Sequence, residues 1–303
     1  MHDADAFATR RLEVRGVEIE FVLEGEGGYP LVLLHGWPDT KRIWWRNIGP
    51  LAEAGFCVIA PDMRGNGGSC LAPDGAYDTA ANARDLEALL RALGHERCGV
   101  VGGDWGGVVA YDLSLRFPDL VERLVVFNTV PPRLPGGSRE VPPEVMQAAD
   151  YFIRQGTDAD GLCAELSTPE LRRRYVAQMY GPRFWAAPGG FSPEDVEFMT
   201  EPFGDAERFR ASLAPYEYAL RKRAWSEAPL LDRPNPTPTL VLYGPEDHVI
   251  PRDFPARMAE ALPDRMGPFV VPGAGHWVQW EAADLLNGAV RHFHLDLLRT
   301  SGA

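Results

Sequence analysis

A single carboxylate, Asp104, stands between two pairs of glycines in Val100-Val101-Gly102-Gly103-Asp104-Trp105-Gly106-Gly107-Val108-Val109. An apolar run stops at the first pair, and a helix-compatible apolar run follows the second. The spelling predicts a strand, a very tight turn and a helix, with a backbone too crowded at the turn for neighbouring Cβ atoms. Its shape is that of G-x-S-x-G, with Asp where the serine would sit. Two roles fit. Asp is a favoured helix N-cap, so Asp104 could serve only the helix that follows it. Alternatively it is a nucleophile. A serine alkoxide suits acyl carbons, whereas a carboxylate suits an sp³ carbon that carries a leaving group. Attack would form an alkyl ester, and water attacking the ester carbonyl would regenerate the carboxylate.

The elements around this turn supply candidate partners. Residues 11–24 alternate apolar and polar on both sides of Gly16, which predicts a hairpin of two half-exposed strands. Apolar runs at 31–34, 56–60 and 99–101, and the largely apolar stretch 121–127, predict strands buried on both faces. Helical patterns at 44–54, 79–93 and from the turn to Phe117 separate them. The alternation argues for a mostly parallel sheet covered by helices on both faces. The texture changes at Pro131, where Pro132, Pro135, Gly136, Gly137, Pro142 and Pro143 cluster; from there to Pro229 the pattern is helical without a buried-strand run. After the proline-rich connector 231–238, a strand at 239–243, a helix at 253–262, a short strand at 269–271 and a final helix at 284–298 complete the chain. One α/β core (1–132 and 231–303) is therefore interrupted by a helical insertion, 133–230. Placed after a mid-sheet strand, it would lie over the ligand crevice at the strands' carboxyl ends.

Four segments fall at those carboxyl ends: His35-Gly36-Trp37-Pro38, the Asp104 turn, Gly244-Pro245-Glu246-Asp247 and Gly273-Ala274-Gly275-His276-Trp277. The order nucleophile, acid, histidine, together with the insertion, resembles the α/β-hydrolase fold family, and within it the epoxide hydrolase branch. The resemblance covers nearly the whole chain. It implies an α/β-hydrolase fold: a mostly parallel central sheet with flanking helices and an inserted helical cap. Asp104 would be the nucleophile and His276 the base for the hydrolytic water. Asp247 would hold the imidazole, with Glu246 as nearest substitute. Some relatives place the acid after the preceding core strand; here Phe127-Asn128-Thr129 has no carboxylate. Backbone N–H groups of Trp37 and Trp105 would form the oxyanion hole, and both residues would line the substrate site. His35 would be structural. Family members protonate the epoxide oxygen with two cap tyrosines, and Tyr151 and Tyr216 match those positions; Tyr180 is in reserve for the first position and is expected to bind substrate. Gly103 stands where many soluble relatives carry histidine. Gly-Gly-Asp-Trp-Gly and His-Gly-Trp-Pro are spelled like the microsomal type, and Gly-His-Trp-Val-Gln like the soluble type.

Bulk properties narrow the alternatives. A net charge of −13 disfavours a nucleic-acid surface. No apolar run approaches membrane-spanning length, and residues 1–10 lack the features of a signal peptide. The four cysteines, Cys57, Cys70, Cys98 and Cys163, form no C-x-x-C pair or zinc-like spacing. Arg172-Arg173-Arg174 reads as a solvated helix face. The expectation is a cytoplasmic enzyme acting on a small apolar epoxide, without metal or organic cofactor, and a homo-oligomer is compatible with it. A haloalkane-type dehalogenase shares the Asp-His-acid set; Trp105 and the tryptophans Trp185 and Trp225 support it, while Trp37 occupies the position of its usual Asn. A non-catalytic ligand-binding protein on the same fold is the third reading.

Overall fold

Val14 and Val17 face each other across Arg15-Gly16, both at positive φ (53° and 79°). This two-residue turn matches the twist of an antiparallel pair, and it joins β1 (Thr9–Val14) to β2 (Val17–Glu24). The computed structural model describes residues 3–132, 134, 150–182 and 185–301. The expected start of the insertion at 133 and the cluster from Pro135 to Pro143 lie outside them.

The stretches expected as strands become β3 (Tyr29–Leu34), β4 (Phe56–Pro61), β5 (Cys98–Gly103), β6 (Val121–Phe127), β7 (Thr239–Tyr243) and β8 (Arg265–Val270), the last beginning four residues before the expected 269–271 and ending before Val271. They form one eight-stranded sheet in the order β1-β2-β4-β3-β5-β6-β7-β8, parallel from β4 to β8. Every residue of β4 and β5 is buried, because alternate side chains enter different cores. Leu31 and Leu33 pack with the helices Ile48–Glu53 and Ala283–Phe293. Val32 and Leu34 pack with Thr79–Ala92 and Asp104–Arg116 on the opposite face. The chain reverses its direction of travel across the sheet between β3 and β5, and Leu34 pairs with Gly102 there. The carboxyl ends of this pair, His35 and Asp104, therefore open at the topological switch point, where α/β sheets bind ligands.

Between β6 and β7 the described residues form only helices: Asp150–Thr157, Ala159–Glu165, Pro169–Ala177, Pro193–Thr200, Ala206–Ser212 and Ala214–Ala219, with one 3₁₀ turn at Glu201–Gly204. Asp158, Thr168, Ser192 and Asp205 cap four of them with side-chain hydrogen bonds. No described helix is long and apolar enough to cross a membrane.

Three local expectations differ from the structure. The helix expected at 44–54 is a 3₁₀ turn, Lys41–Trp44, followed by Ile48–Glu53; Pro50 lacks an N–H and is accommodated in a first turn. The last helix divides at His294 into Ala283–Phe293 and Leu295–Ser301. Arg172 is not solvated: it is 5% exposed, and its guanidinium donates to the Leu166 and Gly204 carbonyls.

A Cβ on Gly106 would stand 2.3 Å from the Leu34 carbonyl oxygen. Because that oxygen belongs to a central strand, it cannot yield. Gly106→Ala is expected to destabilise the fold by about 3 kcal/mol, measured by urea unfolding; a change within experimental error would mean that the helix is not pressed against β3.

Candidate active site

Asp104 follows β5 directly and is the first residue of its helix, with Gly103 at the cap position. The capping role is therefore not the one it plays. Its φ is +48°, a left-handed conformation that turns its side chain away from the helix and that L residues adopt at a cost. Two neighbours after β6 brace this backbone: the Asn128 carbonyl accepts from the Asp104 N–H (3.0 Å), and the Thr129 hydroxyl donates to the Asp104 carbonyl (2.6 Å). Gly36 gives the carboxylate room, since a Cβ there would lie 2.5 Å from the Asp104 Cβ.

The two carboxylate oxygens face different groups. Oδ1 accepts from the Trp37 backbone N–H at 2.8 Å. Oδ2 lies 3.5 Å from His276 Nε2, an ionic contact rather than a good hydrogen bond. Trp105 is the second residue of the helix, where an N–H has no intrahelical acceptor. On the far side of the imidazole, Nδ1 is 2.7 Å from Asp247 Oδ2. Asp247 is itself held by the N–H groups of Val249 (2.7 Å) and Ile250 (3.2 Å) and by Asn128 Nδ2 (2.8 Å). Glu246, the alternative acid, is exposed. His35 is a bracket: Nδ1 meets the Gly36 carbonyl at 2.9 Å, and Nε2 accepts from the Met63 N–H at 3.0 Å.

These contacts set the charges. Burial would lower the His276 pKa, but the Asp247 and Asp104 carboxylates hold it well above the ordinary value. Burial would likewise raise Asp247; the His276 charge and its hydrogen bonds keep it below the usual range.

Aromatic rings enclose the site. The Trp37 ring stacks on Tyr151 (6.3 Å, 4°) and meets Tyr216 edge-on (5.4 Å). Trp105 and Phe152 meet Tyr216 at 5.4 and 5.0 Å. Trp185 lies 4.7 Å from the His276 ring and 5.2 Å from Tyr151. Its buried indole N–H has no hydrogen-bond partner among the described residues. Tyr151 and Tyr216 thus come together, 6.0 Å apart. Burial pushes both phenols well above their ordinary pKa; the Asp104 charge adds to this, and each phenol remains a donor.

Tyr180, expected to bind substrate, is placed differently. Its hydroxyl is within 2.5 Å of the Pro38 carbonyl and 2.8 Å of Asp39 Oδ1, and its ring stacks on Trp277 at 4.6 Å. The hydroxyl is consumed in fastening the inserted helices to the loop after β3. Trp225 packs against Tyr218.

Sequence reasoning gave no weight to Asn128 or Asp39. Asn128 is the hub of the site: its amide also reaches the carbonyls of Gly244 and Gly275 (both 3.1 Å) and accepts from the Gly244 N–H (2.8 Å). The available signal was its position, after the strand beside the Asp104 turn. Asp39, next to Pro38, is 2% exposed and accepts from the Trp277 indole at 3.0 and 3.1 Å. Burial, aided by the Asp104 charge and opposed by the Tyr180 and Trp277 hydrogen bonds, pushes Asp39 up to about 7. A carboxyl raised in the fold favours folding while protonated, and this advantage is lost as pH rises from its unfolded value, about 4, to about 7. Asp39→Asn is therefore expected to gain stability over the wild type by on the order of 1 kcal/mol more at pH 8 than at pH 5. Urea unfolding at the two pH values measures it; an equal difference at both would contradict the raised pKa.

Comparisons with known proteins identify the family. The model of the alpha/beta hydrolase fold family matches residues 29–283. Soluble epoxide hydrolase of Corynebacterium sp. (strain C12) is 36% identical over 187 residues, 60% of this chain and 62% of that protein, so this match spans less than two thirds of the relative's length. Epoxide hydrolase A of Mycobacterium tuberculosis (strain ATCC 25618 / H37Rv) is 30% identical over 314 residues, 94% of this chain and 96% of that one. Fluoroacetate dehalogenase of Burkholderia sp is 32% identical over 70% of this chain and 69% of its own. Among solved structures, epoxide hydrolase CorEH without ligand superposes with a TM-score of 0.84 at 28% identity, covering 96% of this chain and 99% of the other. The fold, joined to matches that span the chain, makes this protein a member of the α/β-hydrolase fold family, in its epoxide hydrolase branch.

Proposed function

We propose that the protein is an epoxide hydrolase that converts a small apolar epoxide and water to a vicinal diol, through an ester on Asp104. The division of labour between the Asp104 oxygens carries this reading: Oδ1 is held by the Trp37 N–H, and Oδ2 faces His276. The helical insertion, residues 133–230, acts as a cap that closes over the core and excludes water.

In the first step the phenols of Tyr151 and Tyr216 hold the epoxide oxygen. Oδ2 attacks one ring carbon, the C–O bond breaks, and a phenol proton passes to the departing oxygen. The products of this step are a hydroxyalkyl ester and a phenolate. In the second step His276 Nε2 removes a proton from water, and the hydroxide adds to the ester carbonyl carbon. The charge developing on Oδ1 meets the Trp37 N–H, with Trp105 N–H as second donor. Asp247 stabilises the imidazolium. Collapse expels the diol oxygen, which is protonated, and a proton returns to the phenolate. Asp104 then carries one oxygen from water.

The electrostatics time these steps. In the free enzyme Asp104 helps to keep the His276 pKa high. Alkylation removes that negative charge, so the His276 pKa falls when a base is needed.

One observation favours a second reading. The unpartnered Trp185 N–H is of the kind that holds a leaving halide, and one relative is named for dehalogenation. Fluoroacetate, however, is an anion, while the described rings about Asp104 are uncharged apart from His276. Epoxides and haloalkanes assayed in parallel separate the readings: diol without halide release is expected, and halide release with unreacted epoxides would overturn the proposal. Tyr216→Phe should slow ester formation by about a hundredfold while changing ester hydrolysis little, as read by rapid-quench kinetics. Equal effects on both steps would remove Tyr216 from the acid role.

A further inference from the structure

Glu281 lies outside the nucleophile, base and acid, yet its carboxylate binds both neighbours of His276. Oε2 accepts from the N–H groups of Gly275 (2.8 Å) and Trp277 (3.1 Å). Oε1 accepts from the N–H of Ala187 at 2.5 Å. Ala187 belongs to the insertion, two residues beyond Trp185, whose ring rests on the His276 imidazole. The Trp185 carbonyl in turn accepts from the His276 N–H at 2.9 Å. The two segments touch so closely that a Cβ on Gly275 would stand 2.5 Å from Ala187 N. Gly190 closes the other side of the carboxylate, since a Cβ there would lie 2.5 Å from Oε1. One half-buried carboxylate thus satisfies three backbone donors on two segments, the histidine loop and the cap segment at Ala187.

We infer that Glu281 is a positioning residue that locks the cap segment 185–187 to the histidine loop, so that placement of that segment and orientation of His276 are one event. The inference rests on the proposed ester mechanism for its kinetic consequence. The nucleophile is held by Trp37, Asn128 and Thr129, none of which Glu281 touches. The base is held by the loop that Glu281 pins. Loss of the clamp therefore falls on ester hydrolysis rather than on ester formation.

In Glu281→Gln the volume is kept, but an amide N–H replaces one acceptor and faces a backbone N–H. Single-turnover quench-flow with a styrene-oxide-type substrate, with intact-mass detection of the alkyl-enzyme, reads the two steps separately. Ester hydrolysis is expected to slow by about tenfold or more. Ester formation should stay within about threefold of wild type, so the alkyl-enzyme accumulates and kcat and KM fall together. The downfield proton resonance of the His276–Asp247 hydrogen bond in the free protein should shift or broaden. Gly190→Ala, which pushes on the same carboxylate from the opposite side and leaves Glu281 itself intact, should reproduce the pattern; it decides the matter if Glu281→Gln fails to fold. Both steps slowed by the same factor, or neither slowed with the resonance unmoved, would overturn the clamp. Absence of an alkyl-enzyme in the wild type as well would instead overturn the ester mechanism, and the resonance alone would then decide the clamp.

Discussion

The backbone of Asp104 is the constraint on which the rest depends. A φ of +48° at a residue with a Cβ costs on the order of 1 kcal/mol, and the conformation persists only because the surroundings allow no other. Gly36 and Gly106 make the space, β3 and β5 fix the strand ends, and Asn128 and Thr129 bond the turn from both sides. In return, the carboxylate leaves the helix axis and points into the crevice at the switch point. There its two oxygens become chemically distinct, because an N–H meets one and an imidazole faces the other.

Placing that carboxylate in a buried site creates a second problem, which is charge. Asp104, Asp247 and Asp39 lie around a single imidazole, and Glu281 is close enough to feel its charge. Asp247 stays ionised because three donors and His276 hold it. Asp39, with fewer donors and the Asp104 charge nearby, moves towards neutrality. Burial raises both carboxyls, and the net shifts are opposite because their hydrogen-bond shells and neighbouring charges differ. The surrounding aromatic rings add no competing charge, so the field at His276 is set by these few carboxyls.

Much of this was legible in the sequence. Buried strands announce themselves as unbroken apolar runs, and glycine pairs mark the turn, so the sheet and the positions of Asp104, Asp247 and His276 at strand ends could be read directly. What could not be read depends on how the insertion docks. Resemblance set Tyr151 and Tyr216 before Tyr180, but the packing alone turns the first two towards Trp37 and sends the third to Asp39. Arg172 looked solvated within a run of three arginines because helix-end carbonyls that need a donor leave no trace in sequence. Asn128 was visible only as a missing carboxylate, although its amide reaches three acceptors on two other loops at once.

The account makes Asp104, not water, the direct source of the oxygen added to the substrate. A single turnover in ¹⁸O-water, with an epoxide substrate and enzyme in excess, tests this most directly. The diol should form without label, and ¹⁸O should appear in the peptide that carries Asp104. A labelled diol with an unlabelled Asp104 would contradict the covalent mechanism.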